Sequence, residues 1–196
     1  MGAVLTFLST LFVFSVVNGT PLLYGTLGEI LTEKSGNMNL GVEGILFMGG
    51  AAGLGGAFYY EKLAGASASP FVALLLAVFF AFLAGALASL LFSFITITLR
   101  ANQNVTGLAM TTFGVGFGNF MGGSLIKLTG SEVPSIALSA TNSYFSKALP
   151  FASKLGWFGQ IFLSYGFLAY LAVAIALIAA YVLKRTRVGC LLYTSD

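Results

Sequence analysis

Charge is what this sequence has least of. Of its 196 residues only 8% are Asp, Glu, Lys or Arg, where soluble domains carry roughly 25%. So few charges cannot cover the surface of a soluble protein of this size, and a mean hydropathy of +0.96 points the same way. The bilayer is the natural solvent for such a surface. Histidine is absent and Cys190 is the only cysteine. That excludes a disulfide framework and a Cys/His metal site, and it removes histidine as a general base. The phosphate-cradling Gly-x-x-x-x-Gly-Lys-[Ser/Thr] pattern is missing too. A net charge of +3 supplies no basic face for nucleic acid. No basic stretch follows Met1, so no secretory signal peptide is evident, and the first apolar segment is expected to stay as a membrane span.

What the sequence does have is long apolar runs. The predicted fold class is an all-α integral membrane protein, a polytopic helix bundle of about five spans. Residues 1–28 are uncharged, and a helix of about 20 residues crosses the hydrocarbon core. A first span is expected over 7–31, kinked or thinned near Pro21. Glu29 and Glu33 lie one turn apart near its end. Both can sit in water at the interface, or Glu29, one turn deeper, can face the bundle interior. The next span, 44–60, carries small residues at eight positions between Gly49 and Ala57. Gly49 and Gly53 form a GxxxG pair that lets backbones approach closely.

Further spans are expected over 71–99, 105–125 and 160–183. The 29 uncharged residues of 71–99 exceed a straight crossing. The 105–125 segment is the least apolar, with Thr106, Thr111, Thr112, Asn119 and glycines including Gly114, Gly118 and Gly122 at four-residue spacing. Such a segment suits a bundle interior or a cavity wall better than lipid. Residues 127–159 form the longest non-spanning region. Its Tyr144, Phe145, Phe151, Trp157 and Phe158 point to a course along the membrane surface. Lys184, Arg185 and Arg187 close the last span and read as cytoplasmic by the positive-inside rule. Alternation then places 33–43 and Arg100 on the cytoplasmic side, the 61–70 loop and 127–159 outside, and the N-terminus outside.

One stretch stands apart: Glu33-Lys34-Ser35-Gly36-Asn37-Met38-Asn39-Leu40-Gly41-Val42-Glu43-Gly44, a polar, glycine-rich break between two apolar segments. Glu43 falls where a helix N-terminus would favour negative charge. The break, with Thr20-Pro21-Leu22-Leu23 and Leu27-Gly28-Glu29 before it, closely resembles the signature of bacterial ABC importer permeases. Lys34 stands where that pattern usually has arginine. The match is to the group serving simple sugars, nucleosides and branched-chain amino acids. The resemblance continues in Leu99-Arg100-Ala101-Asn102-Gln103-Asn104-Val105-Thr106-Gly107, in Gly159-Gln160 and in Lys184-Arg185-Thr186-Arg187-Val188-Gly189. It covers roughly residues 18–189.

The resemblance implies the N-terminal part of a single transmembrane permease domain over 1–189. The stretch Cys190–Asp196 departs from the family pattern and is expected to be a non-native or frame-shifted end, leaving a fragment that would not transport alone. The implied role is a permease subunit in a bacterial inner membrane, not itself an enzyme and with no cofactor of its own. ATP would be bound and hydrolysed by an ABC ATPase partner. A second permease subunit and a substrate-binding lipoprotein would complete the assembly. The signature residues are Ser35, Gly36, Asn39, Gly41, Glu43 and Gly44. A nucleoside or simple sugar calls for hydrogen-bonding side chains along its path, and Asn37, Asn39, Thr111, Thr112 and Asn119 are the candidates. The plainer role for each is an interhelical hydrogen bond without substrate contact.

Two other classes compete. An ion-coupled transporter or channel would need an ionisable relay inside the membrane, for which only Glu29 and Glu43 are placed. A membrane hydrolase built on Ser35/Lys34 or Glu29/Glu33 lacks a nucleophile with a legible orienting partner. The polar break itself fits either the cytoplasmic face or an unwound segment part-way across the membrane.

Overall fold

A computed structural model describes residues 2–129, 138–146 and 156–193. They form α1 (Gly2–Lys34), α2 (Val42–Ala64), α3 (Pro70–Ser93), α4 (Gln103–Thr129), α5 (Ser139–Phe145), α6 (Gly156–Phe162), α7 (Phe167–Arg185) and α8 (Arg187–Tyr193). Val4–Lys34, Val42–Ala64, Pro70–Thr98 and Phe167–Arg185 are long and apolar enough to cross a membrane. At 27 residues α4 is also long enough, but its threonines, Asn119 and six glycines make it less apolar. The first four expected spans correspond to α1–α4, and the fifth overlaps α7. Glu132, Pro134, Lys147, Pro150, Phe151 and Lys154 of the expected surface region lie outside the described residues.

The chain divides into two compact units, one made of 1–35 with 144–196 and the other of 36–143. In the first, α1 packs on α6 and α7, and the Tyr24 hydroxyl donates to the Leu168 carbonyl at 2.9 Å. The first expected span is found as a single helix of 33 residues that carries Pro21 in its interior. Pro21 removes a single backbone donor. Polar side chains around it turn back onto the helix's own carbonyls, Asn18 to Phe14 and Thr20 to Val16, each at 2.8 Å. Ser15 and Thr26 do the same to Leu11 and Leu22. Such back-bonding satisfies a polar side chain where no water reaches.

The last expected span is corrected. Residues 160–183 are not one helix: α6 ends at Phe162 and α7 begins at Phe167. Gly166 between them is extended, with φ −65° and ψ 158°. A side chain there would run into the Phe145 carbonyl, so the close passage of α5 demands glycine, and the helix restarts beyond it. Lys184 and Arg185 fall in the last turn of α7, where the helix dipole favours cations.

In the second unit α3 begins with Pro70 at its first turn, a position that wastes no hydrogen bond. It ends in a wide turn over Phe94–Thr98, where the Leu99 amide reaches back to the Phe94 carbonyl at 3.1 Å. Arg100 then takes a left-handed φ of 54°, turning the chain into α4. The core of this unit is Met48, Ala88, Phe92 and Met110, flanked by Ile45 and Phe117. One side of α2 meets α3: methyl groups at Gly49 and Gly53 would fall 3.3 and 2.9 Å from the Ala81 and Ala77 carbonyls. The GxxxG pair read from the sequence therefore serves α3. A second glycine face of α2 serves α4.

Candidate functional site

The polar break lies along the first half of α4. Before it, the Ser35 hydroxyl donates to the Thr32 carbonyl at 2.7 Å and closes α1. Gly36 follows with φ 80°, the left-handed conformation with which helices commonly end. Asn39 is buried, at 6% exposure, and its side-chain oxygen accepts the Gly41 amide at 2.9 Å. This small turn delivers the chain into α2 at Val42. Glu43 is exposed in the first turn.

Contacts with α4 then follow in register. A methyl group at Gly107 would fall 2.8 Å from the Leu40 nitrogen and 2.9 Å from its Cβ, and one at Gly41 would fall 2.8 Å from the Met110 Cβ. One at Gly44 would overlap the Met110 carbonyl, and one at Gly114 would overlap the Gly44 backbone. Phe47 covers Gly118, and Gly55 faces Met121 and Leu125. The pairs advance together along both helices, so α2 and α4 run parallel over their whole length. Both helices enter from the same side. This agrees with the alternation that puts residues 33–43 and Arg100 on one face of the membrane.

Hydrogen bonds finish each end. At the start, Asn102 caps α4 by accepting the Val105 amide at 3.1 Å. Next to it Gln103 reaches the break with both amide atoms. Its oxygen accepts the Met38 backbone N–H at 2.9 Å, and its nitrogen donates to the Asn37 side-chain oxygen at 3.0 Å. Two turns on, the Thr111 hydroxyl donates to the Leu40 carbonyl at 2.8 Å. At the far end Lys62 donates to the Leu128 carbonyl at 3.2 Å, a cation at the negative end of α4. Glu61 accepts the Thr141 amide at 2.7 Å and the Thr141 hydroxyl at 2.5 Å, which fixes the start of α5.

The five path candidates thus fall into three groups. Asn37 and Thr111 tie the break to α4, and Asn39 shapes the turn within the break. Thr112 is exposed, and its hydroxyl donates to the Leu108 carbonyl of its own helix at 3.0 Å. Asn119 is exposed two turns further along α4. Of the glycines expected in the four-residue series, Gly114 and Gly118 meet α2, whereas Gly122 has no neighbour within 4 Å. Gly107 supplies the other end of the contact. The functional reading from sequence missed Gln103, although the Arg100-Ala101-Asn102-Gln103 motif carried it. A long amide next to an N-capping residue, at the mouth of an apolar helix, was the available signal. Glu29 is half-buried and accepts the Thr32 hydroxyl at 3.1 Å. Among the described residues no group of His, Cys, Asp and Glu could hold a metal ion.

A family model described as "Branched-chain amino acid transport system / permease component" matches residues 11–195. The "Guanosine ABC transporter permease protein NupQ" of Bacillus subtilis (strain 168) is 28% identical over 176 residues, 89% of this chain and 52% of that protein. The "Nucleoside ABC transporter permease protein NupC" of Lactococcus lactis subsp. cremoris (strain MG1363) is 29% identical over 177 residues, 89% of this chain and 51% of that protein. The "Putative glucose ABC transporter permease protein TsgC13" of Haloferax volcanii is 26% identical over 130 residues, 66% of this chain and 36% of that protein. The chain spans about half the length of the two nucleoside relatives. No solved structure matches it.

Proposed function

The chain belongs to the branched-chain amino acid transport system / permease component family, and from that premise we propose that it is part of the membrane path of an ATP-binding cassette importer. The observation that carries this is the family match over nearly the whole chain, centred structurally on the polar break that α4 holds in place. Permease components are not enzymes, so ATP hydrolysis belongs to an ATPase partner. A second permease subunit and a substrate-binding lipoprotein complete the assembly, and the seat is a bacterial inner membrane. The cargo is a nucleoside or, next to it, a simple sugar. The relatives named for guanosine and nucleosides support the first and the one named for glucose the second.

Within the path, Asn119 is the residue that meets the cargo. Its amide is exposed and not engaged by any described residue, on the side of α4 turned away from α2. Thr112 shares that side. An amide facing hydrocarbon is costly, whereas a neutral hydroxylated cargo can use both its donor and its acceptor.

The test is uptake of labelled guanosine and glucose into cells or vesicles carrying the full-length parent with its ATPase. Uptake that requires the ATPase and survives collapse of the proton and sodium gradients is expected. Uptake that follows an ion gradient without the ATPase would sink the reading.

A further inference from the structure

We infer that Gln103 is the positioning residue that makes the polar break and α4 a single moving part, so that the two travel together through the transport cycle. The inference rests on the permease reading and goes beyond it by saying which elements must not separate. Three observations carry it. First, Gln103 grips the break with both amide atoms, at Met38 and Asn37. The assignment is forced: a backbone N–H can only donate, so the atom facing Met38 is the oxygen, and the nitrogen must then face an acceptor on Asn37. Second, Gln103 opens α4 beside the capping Asn102, so its own backbone is held. Third, the contact it starts has no compliant layer. Leu40 lies on Gly107 and the Gly44 backbone on Gly114, and Thr111 ties the Leu40 carbonyl. Helices separated by side chains can slide by rotamer changes. Helices in backbone contact cannot, and the amide clamp sets their register at the open end.

The experiment uses the full-length parent with its partners, in a background in which the parent's own cysteines are replaced by Ser. Gln103→Ala breaks both bonds, one exposed and one part-buried, and is expected to lower the maximal uptake rate about tenfold, the loss that two such bonds together support. The cargo concentration at half-maximal rate should stay within about twofold, because Gln103 is not on the cargo. Gln103→Glu should restore most of the rate: the carboxylate still accepts from Met38, and Asn37 can turn its amide to donate. A Met38→Cys/Gln103→Cys pair should behave like Gln103→Ala until joined by a short bis-methanethiosulfonate, each thiolate forming a disulfide to the linker and releasing methanesulfinate. Joining should then raise uptake, and reductant should lower it again. Joining that abolishes uptake would overturn the inference, since the break would then have to leave α4. Wild-type rates in Gln103→Ala, or a change confined to half-saturation, would overturn it as well. Failure of the permease reading shows separately, in the energy source of the unaltered protein.

Discussion

Gly114→Ala adds one methyl group at the crossing of α2 and α4, and the structure fixes what that methyl meets. It lands on the Cα, carbonyl carbon and oxygen of Gly44. These are atoms of a helix backbone, so no rotamer change can clear them. The relief available is to part the helices by about 1–1.5 Å, which returns carbon–carbon contacts to near their optimum. A parting of that size takes the Thr111–Leu40 bond from 2.8 Å out of hydrogen-bond range. It also lifts Leu40 from Gly107 and Phe47 from Gly118. Overpacking costs about 1–3 kcal/mol and the lost bond about 1 kcal/mol, giving about 2–4 kcal/mol together. In a protein of this size that lowers the melting midpoint by about 4–16 °C. Gly116→Ala is the control. It changes the same helix by the same methyl group at a position with nothing within 4 Å, and it gains helix propensity. Both variants would be heated in detergent and the surviving folded fraction read by size-exclusion chromatography. Equal midpoints for the two would refute the backbone contact. A lower midpoint for Gly116→Ala would refute the assignment of α4's faces.

Other outcomes follow from single contacts. Thr111→Val should cost about 1 kcal/mol through the lost bond to Leu40, whereas Thr112→Val, which gives up only a bond within its helix, should be near neutral; the same melts compare them. Glu61→Gln keeps one oxygen for both Thr141 donors but puts an NH₂ group against the Ala140 amide and should cost about 1 kcal/mol, read as faster amide hydrogen exchange at Ala140 while Met110 is unchanged. In the full-length parent, Asn119→Ala should raise the half-saturating nucleoside concentration about tenfold and leave the melting midpoint in place. An unchanged half-saturation would remove Asn119 from the path.

Much of the helical layout was legible because uncharged runs long enough for lipid have few other uses. The polar break was legible as an anomaly for the same reason. What could not be read was which glycine meets which neighbour. The run from Gly49 to Ala57 announces close packing, but α2 has two close neighbours, and only the fold divides Gly49 and Gly53 from Gly44 and Gly55. Local rules misjudged one place. Residues 160–183 read as one span, yet the Phe145 backbone passes through the space a side chain at Gly166 would need. Gln103 escaped the functional reading because its partners lie 65 and 66 residues away in sequence, beyond any local pattern.

The back-bonded side chains of α1 bear on how the protein is made. That helix brings no unmet hydroxyl or amide at Ser15, Asn18, Thr20 or Thr26, so it can leave the translocon and rest in lipid by itself. Helix α4 is different. Gln103 and Thr111 are satisfied only by residues 37–40, and its bare glycine face is filled only by α2. On emerging from the ribosome it needs a berth already in the bilayer. Synthesis order provides one, because the break and α2 precede it in the chain, with α3 as the return crossing that lets two parallel helices lie side by side. The insertion of α4 is then templated by α2, and a defect in the break would be felt first as failure to integrate a helix that lies far from it in the chain.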